Sequence, residues 1–193
     1  MQIKLDENGF VKGYAIVGGT GDGVEIDIIP QEVKDNCQNY KYVNGEFIKD
    51  NTLIEKEKIK ELQELKKEKI ILSKQVLADF LKNNPLPSMC HDSKLGFYSC
   101  TFEKQQLIMN NFQTYFLEEQ LDMDPILTWN ETGKSCEIWT KEEILQLLCE
   151  MKAFVYPIVN KQQKLEEQIN NCDTLEQLNE VIINYEEFSK TDE

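Results

Sequence analysis

Tyr40-Lys41-Tyr42-Val43-Asn44-Gly45-Glu46-Phe47-Ile48 is followed, from about Leu53 to Leu81, by a long Glu/Lys-rich run, and the switch between the two decides the fold. The first part alternates with period two around Asn-Gly, the dipeptide that accepts the two positive φ angles of a type I′ turn, so it reads as a hairpin. In the second part Ile59, Leu62, Leu65, Leu72, Val76 and Phe80 recur at helical spacing on one stripe. A period change from two to 3.6 at this point predicts an α+β chain.

Upstream of the hairpin the sequence continues to speak β. Met1 to Leu5 alternates, Asp6-Glu7-Asn8-Gly9 is a turn signal, and Phe10 to Val17 reads as a returning strand. Gly18-Gly19-Thr20-Gly21-Asp22-Gly23 then leads into Val24-Glu25-Ile26-Asp27-Ile28. These pieces predict a small sheet of about five strands over residues 1–50. Downstream, Asn83-Asn84-Pro85-Leu86-Pro87 ends the long helix, because proline disfavours a helical residue before it. Residues 51–85 are thus expected to form an amphipathic connector, and residues 86–193 a mostly helical domain with a β-hairpin.

Within that last segment Gly96 to Ser99 is strand-like, and a helix is expected from about Phe102 to Gln120. Ile126 to Trp129 and Cys136 to Trp139 flank Asn130-Glu131-Thr132-Gly133 as a second hairpin. Thr140-Lys141-Glu142-Glu143 is a capping box, in which hydroxyl and carboxylate satisfy orphan amides reciprocally. The helix it opens carries Ile144, Leu147, Leu148, Met151, Phe154, Val155 and Ile158, with Pro157 expected to kink it. Asp173-Thr174 opens a last helix bearing Leu175, Leu178, Val181, Ile182 and Tyr185.

Composition narrows the function. The 193 residues are 40 % hydrophobic and 29 % charged, enough for a core, with a net charge of −14. All basic residues are lysine; there is no arginine. A strongly acidic chain without guanidinium forks is poorly equipped for phosphate backbones, guanine edges or anionic lipid. Nucleic acid and membrane insertion are therefore not expected as partners. The N-terminus lacks the apolar region of a signal peptide, and no apolar run approaches the roughly 18 residues of a span, so the expected place is a cytoplasm. There Cys37, Cys90, Cys100, Cys136, Cys149 and Cys172 are expected to be free thiols.

Candidate chemistry is sparse. His91, the sole histidine, lies beside Cys90 and within reach of Cys100, but no Cys-x-x-Cys or third catalytic member accompanies it. It reads as a structural or surface residue. The glycine-rich loop lacks the Gly-Lys-Ser/Thr ending of a P-loop and precedes a strand, so it reads as a connection. Asp22, Glu25 and Asp27 do not follow an EF-hand pattern. The carboxylates of Glu55 to Glu68 belong to a solvated face of i,i+4 pairs. No catalytic residues, cofactor or metal are expected. The stripe residues Leu62, Leu65, Leu72 and Val76 fit heptad places, with Lys69 interrupting, and are the expected interaction residues for self-association. Folding of this helix back onto the C-terminal half is the competing reading.

The opening Ile3-Lys4-Leu5-Asp6-Glu7-Asn8-Gly9-Phe10-Val11-Lys12-Gly13-Tyr14, closed by Tyr40-Lys41-Tyr42-Val43-Asn44-Gly45, resembles the short β module that begins many small tail-region proteins of Gram-positive phages and phage-tail-like particles. The C-terminal half is similar to a domain family found at the ends of phage tail and tail-fibre proteins. The elements that carry this likeness are Phe97-Tyr98-Ser99 with Glu103-Lys104-Gln105, Trp129 with Gly133, Trp139-Thr140 with Glu143, and Asp173-Thr174-Leu175-Glu176-Gln177-Leu178. The resemblance implies a non-enzymatic structural or adaptor part of the tail fibre or baseplate, made in the host cytoplasm and carried in the tail, with other tail proteins as partners. A cytoplasmic chaperone for a fibre or receptor-binding protein is the alternative.

Overall fold

The computed structural model describes residues 1–19 and 21–189. The chain is α+β and divides into two compact units, Met1–Leu65 and Lys66–Glu193.

In the first unit β1 (Gln2–Leu5) is central, with β2 (Val11–Ala15) and β3 (Val24–Glu25) antiparallel on either side. Asp6 makes the first turn, its Oδ1 accepting the N–H groups of Asn8 at 2.8 Å and Phe10 at 2.9 Å, while Gly9 takes φ +83°. A short helix, α1 (Gln31–Asp35), follows Pro30 and drops Val33 into a core with Ile3, Val11, Ile29 and Tyr40. Then β4 (Tyr40–Val43) and β5 (Glu46–Lys49) form the hairpin read from the sequence, with Asn44 at φ 52° and Gly45 at φ 91°.

The expected single sheet is instead two, joined by a bridge between Phe10 and Lys41. The third strand stops at Glu25 because the chain must turn to seat Ile29 and Val33, leaving Ile28 exposed. The Phe10–Val17 strand likewise ends at Ala15, and Val17 is 92 % exposed. Asp50 joins the second hairpin to the helix that follows. It pairs with Lys41 at 2.7 Å and accepts from the Thr52 N–H at 2.9 Å, which holds its carboxyl well below the usual range.

The long helix α2 (Thr52–Asn83) is continuous, but its two ends belong to different units. The connector expected over 51–85 is therefore not a separate segment. From Lys66 onward α2 is part of the C-terminal core, burying Ser73, Leu77 and Leu81. This unit continues with the hairpin β6 (Leu86–His91) and β7 (Lys94–Tyr98), then α3 (Phe102–Gln120). The short pair β8 (Thr128–Trp129) and β9 (Glu137–Ile138) precedes α4 (Lys141–Asn170), and α5 (Leu175–Glu180) is followed by a 3-10 turn over Glu186–Phe188.

Helix α4 is the spine of this unit. Ile144, Leu147, Met151, Val155, Ile158, Gln162, Leu165 and Ile169 form one buried stripe over its length, and the helix runs unbroken through Pro157. The last helix is shorter than the periodicity predicts. It stops at Glu180, and Tyr185 reaches the core from irregular chain beyond it. Among the described residues no helix is long and apolar enough to cross a membrane.

Candidate functional site

Of the interaction stripe expected on α2, one residue is used inside the C-terminal core. Val76 packs against the C-terminal core, Leu62 and Leu65 are half-buried, and only Leu72 stands clear, 50 % exposed. The inward face of the second half runs instead through Lys66, Lys69, Ser73, Val76, Leu77, Phe80 and Leu81. Lys69, an interruption in a heptad seam, is a fixture in this register: its Nζ donates to the Leu178 carbonyl near the end of α5. Lys66 donates to the carbonyl of Asn170, the last residue of α4, at 2.8 Å. Both ammonium groups lie where a helix C-terminus favours a cation.

Deeper in the same interface is a polar cluster. Gln162 Nε2 donates to Ser73 Oγ at 2.8 Å, and the Tyr185 hydroxyl donates to Gln162 Oε1. Ser73 Oγ in turn donates to the Ile70 carbonyl at 2.8 Å. Burial, then the nearby Glu166 charge, pushes the Tyr185 phenol up to about 12. Gln162 also reaches Glu166, which pairs with Lys74 at 3.2 Å. Each buried group has its partner, so this is a structural lock rather than a reactive site.

His91 sits at the end of β6. Strand alternation turns Cys90 into the core and His91 to the opposite face, which separates the cysteine and histidine that adjacency in sequence places together. Burial pushes the Cys90 thiol up, against a hydrogen bond from Ser88 that pulls it down. The imidazole stacks on Trp139 with ring centres 4.3 Å apart and 3° between planes. Its Nδ1 is 3.2 Å from Glu143 Oε1 and its Nε2 is 3.3 Å from Glu137 Oε2.

Glu143 does most of the work at this corner. Its Oε2 accepts the Thr140 N–H at 2.8 Å, completing the capping box, while Oε1 accepts the Asp92 N–H at 3.0 Å. Burial tends to raise its pKa, but these hydrogen bonds and the His91 ring together hold it below the ordinary value. One carboxylate thus ties the β6–β7 turn to the start of α4. Ligand atoms of His91, Asp92 and Glu143 all lie within 4.8 Å of one another. Both oxygens of Glu143 are already engaged, and the positive end of α4 disfavours a cation beside it. The arrangement serves as a clamp.

An apolar groove of about 520 Å³ lies between α3 and α4. Ile108, Met151 and Val155 form its floor, and Phe102, Met109, Leu145 and Tyr156 stand on its walls. Sequence periodicity assigned the α4 core stripe but passed over Leu145 and Tyr156. Their signal was a second apolar line beside the first, which a helix covered on one side only does not need. In the N-terminal unit Asp22 pairs with Lys4 at 3.3 Å, and Thr20 of the glycine-rich loop lies outside the described residues.

Residues 1–57 match a family described as Protein of unknown function (DUF2977). No curated protein and no solved structure matches the chain. The family match covers the β unit and the first turns of α2, and it ends before the clamp, the lock and the groove.

Proposed function

We propose that this protein is a non-enzymatic structural or adaptor component of a phage tail, acting in the fibre or baseplate of a virion or tail-like particle with other tail proteins as its partners. The observation that carries the reading is the use made of the residues on which the resemblance rests. Trp129 and Trp139 are buried, Thr140 and Glu143 close the capping box, and Thr174 caps α5 by accepting the Gln177 N–H at 3.2 Å. These five motif positions are posts of the architecture, as suits a protein whose product is a shape.

The groove between α3 and α4 supplies a surface by which such a part engages a neighbour, since an apolar trough between two helices suits helical partners. The cytoplasmic chaperone remains the second reading, because an open apolar face also suits transient capture of an unfolded fibre. Deletion of the gene separates the two. An adaptor's loss leaves soluble, folded fibre protein and particles that lack the fibre or baseplate in electron micrographs. A chaperone's loss leaves the fibre protein aggregated. Intact, infective particles from the deletion overturn both.

A further inference from the structure

We propose that the α3/α4 groove receives an amphipathic helix of another protein, one that carries a carboxylate beside its apolar ridge. The inference rests on the reading of this groove as the face that engages a neighbour, and it names that neighbour's chemistry.

Shape selects a helix. The ion pair of Lys141 with Glu119, at 3.1 Å, sets the start of α4 against the end of α3, so the two helices run antiparallel. The trough between them extends from Leu145 to Val159 on α4 and from Phe102 to Phe112 on α3. On α4 that is about 21 Å, or about four helical turns. A third helix laid along it presents apolar residues at i, i+4, i+7 and i+11, the ridge that fills such a trough. Phe102, Met109, Leu145 and Tyr156, between 43 % and 70 % exposed, are then covered.

Charge selects the sign of the partner. None of the thirteen residues lining the groove is acidic, in a chain where 35 of 193 are, and the one charge is Lys152. It lies midway along the trough, seven residues from Leu145 and seven from Val159. Of the other α4 lysines, Lys141 holds Glu119 and Lys161 holds Glu187, whereas Lys152 makes no ion pair among the described residues. Helical spacing puts Glu103 and Glu142 on the outer flanks, but both stand in the first turn of their helices, where the N-terminus favours a carboxylate. The middle of the trough is thus a positive point on an acidic molecule. A carboxylate on the entering helix meets Lys152 between apolar walls, where a charge pair fixes register and selects among partners.

The same lysine excludes a second copy as the occupant. Two grooves meeting about a two-fold axis through their centre would oppose Lys152 to Lys152. The footprint, about 21 Å by the roughly 20 Å of two helices side by side, is about 400 Å². That is half of the roughly 800 Å² that each partner buries in a standard interface, enough to seat one helix and short of a stable pair of subunits.

Fluorescence anisotropy with the purified full chain tests this. The probe is a fluorescein-labelled helical peptide of about sixteen alanines and glutamines, with leucines at i, i+4, i+7 and i+11 and a glutamate on each flank at mid-length. A second probe has lysines in place of the glutamates. The wild type should bind the glutamate probe with a Kd of about 10–200 µM, and the lysine probe at least about fivefold more weakly. A chain of net charge −14 attracts cations at long range, so this order of preference requires a local cation. Lys152→Glu should invert the order. Leu145→Gln and Tyr156→Ala should each weaken the glutamate probe at least about fivefold, with an unchanged circular dichroism spectrum. A wild type that binds neither probe, or both equally, overturns the proposal. So does a preference that survives Lys152→Glu, or binding indifferent to both Leu145→Gln and Tyr156→Ala. A chain that dimerises in sedimentation velocity and becomes monomeric with Leu145→Gln overturns it too, because a second copy then fills the groove. Probe discrimination by a protein missing from washed tail particles keeps this inference and removes the tail assignment. Failed discrimination by a protein present in them removes this inference alone.

Discussion

Gln162 of α4 donates its side-chain amide to the hydroxyl of Ser73 on α2 across 89 residues of chain, inside the apolar core of the C-terminal unit. Both residues are at least 95 % buried, so the bond specifies one register of α2 on α4 where leucine against leucine would allow sliding. Tyr185 adds a third member from beyond α5 and thereby fastens the tail to the same point.

Ser73→Ala should lower stability by about 1–3 kcal/mol, because one of the two N–H groups of the buried Gln162 amide loses its acceptor while the other still reaches Glu166. Gln162→Leu removes the stranded group, but leaves the Tyr185 hydroxyl without its Gln162 acceptor. The Ser73→Ala/Gln162→Leu double variant should lose less than the sum of the singles. Urea titrations of the four proteins give the coupling, and simple additivity would show that the two residues act independently.

The clamp at Glu143 makes a pH prediction. A carboxyl held below its ordinary value stabilises the fold at neutral pH, and that stabilisation is lost as pH falls through its folded value. Glu143→Gln should therefore lower the melting temperature at pH 7. The gap from wild type should close below the ordinary glutamate value of about 4.3. His91→Ala, which uncovers Trp139, should shift the tryptophan emission; unchanged emission would deny the stack.

Thiol reactivity follows burial. Cys136 and Cys149 are exposed, while Cys90, Cys100 and Cys172 are buried. Under native conditions the two exposed thiols should react with an aromatic disulfide reagent in the fast phase. All six should count after denaturation without reductant. Fewer than six would reveal a bridge.

Much of this architecture could be read from the chain. Asn44-Gly45 announces its hairpin, and Thr140 with Glu143 announces α4, because both signals are local. Of the β6–β7 hairpin only the second strand, over Gly96 to Ser99, could be read. Pro85 and Pro87 spell a boundary, and its turn is made by Asp92 and Ser93 at φ 51° and 55° with no glycine to mark it. Helix α1 is barely more than one turn, too short for any period. Lys69 looks like a flaw in a seam until the Leu178 carbonyl, 109 residues on, is in view. The groove escapes for the same reason: whether a second apolar line on α4 is covered is a property of the tertiary fold.

Gly45→Ala probes the hairpin of the first unit. At φ 91° a Cβ meets no neighbouring atom, so the cost is backbone strain alone, about 1 kcal/mol. Thermal denaturation followed by circular dichroism should show the loss, and Gly13→Ala on β2, also free of contacts but at ordinary φ, should be nearly neutral by comparison.

Quantitative mass spectrometry of purified tail particles decides whether this protein is a part of the tail. A structural or adaptor part must be present at a fixed, integral copy number relative to the major tail protein, in every preparation and after high-salt washing. Absence from washed particles, with the protein recovered only in the soluble lysate, would contradict it.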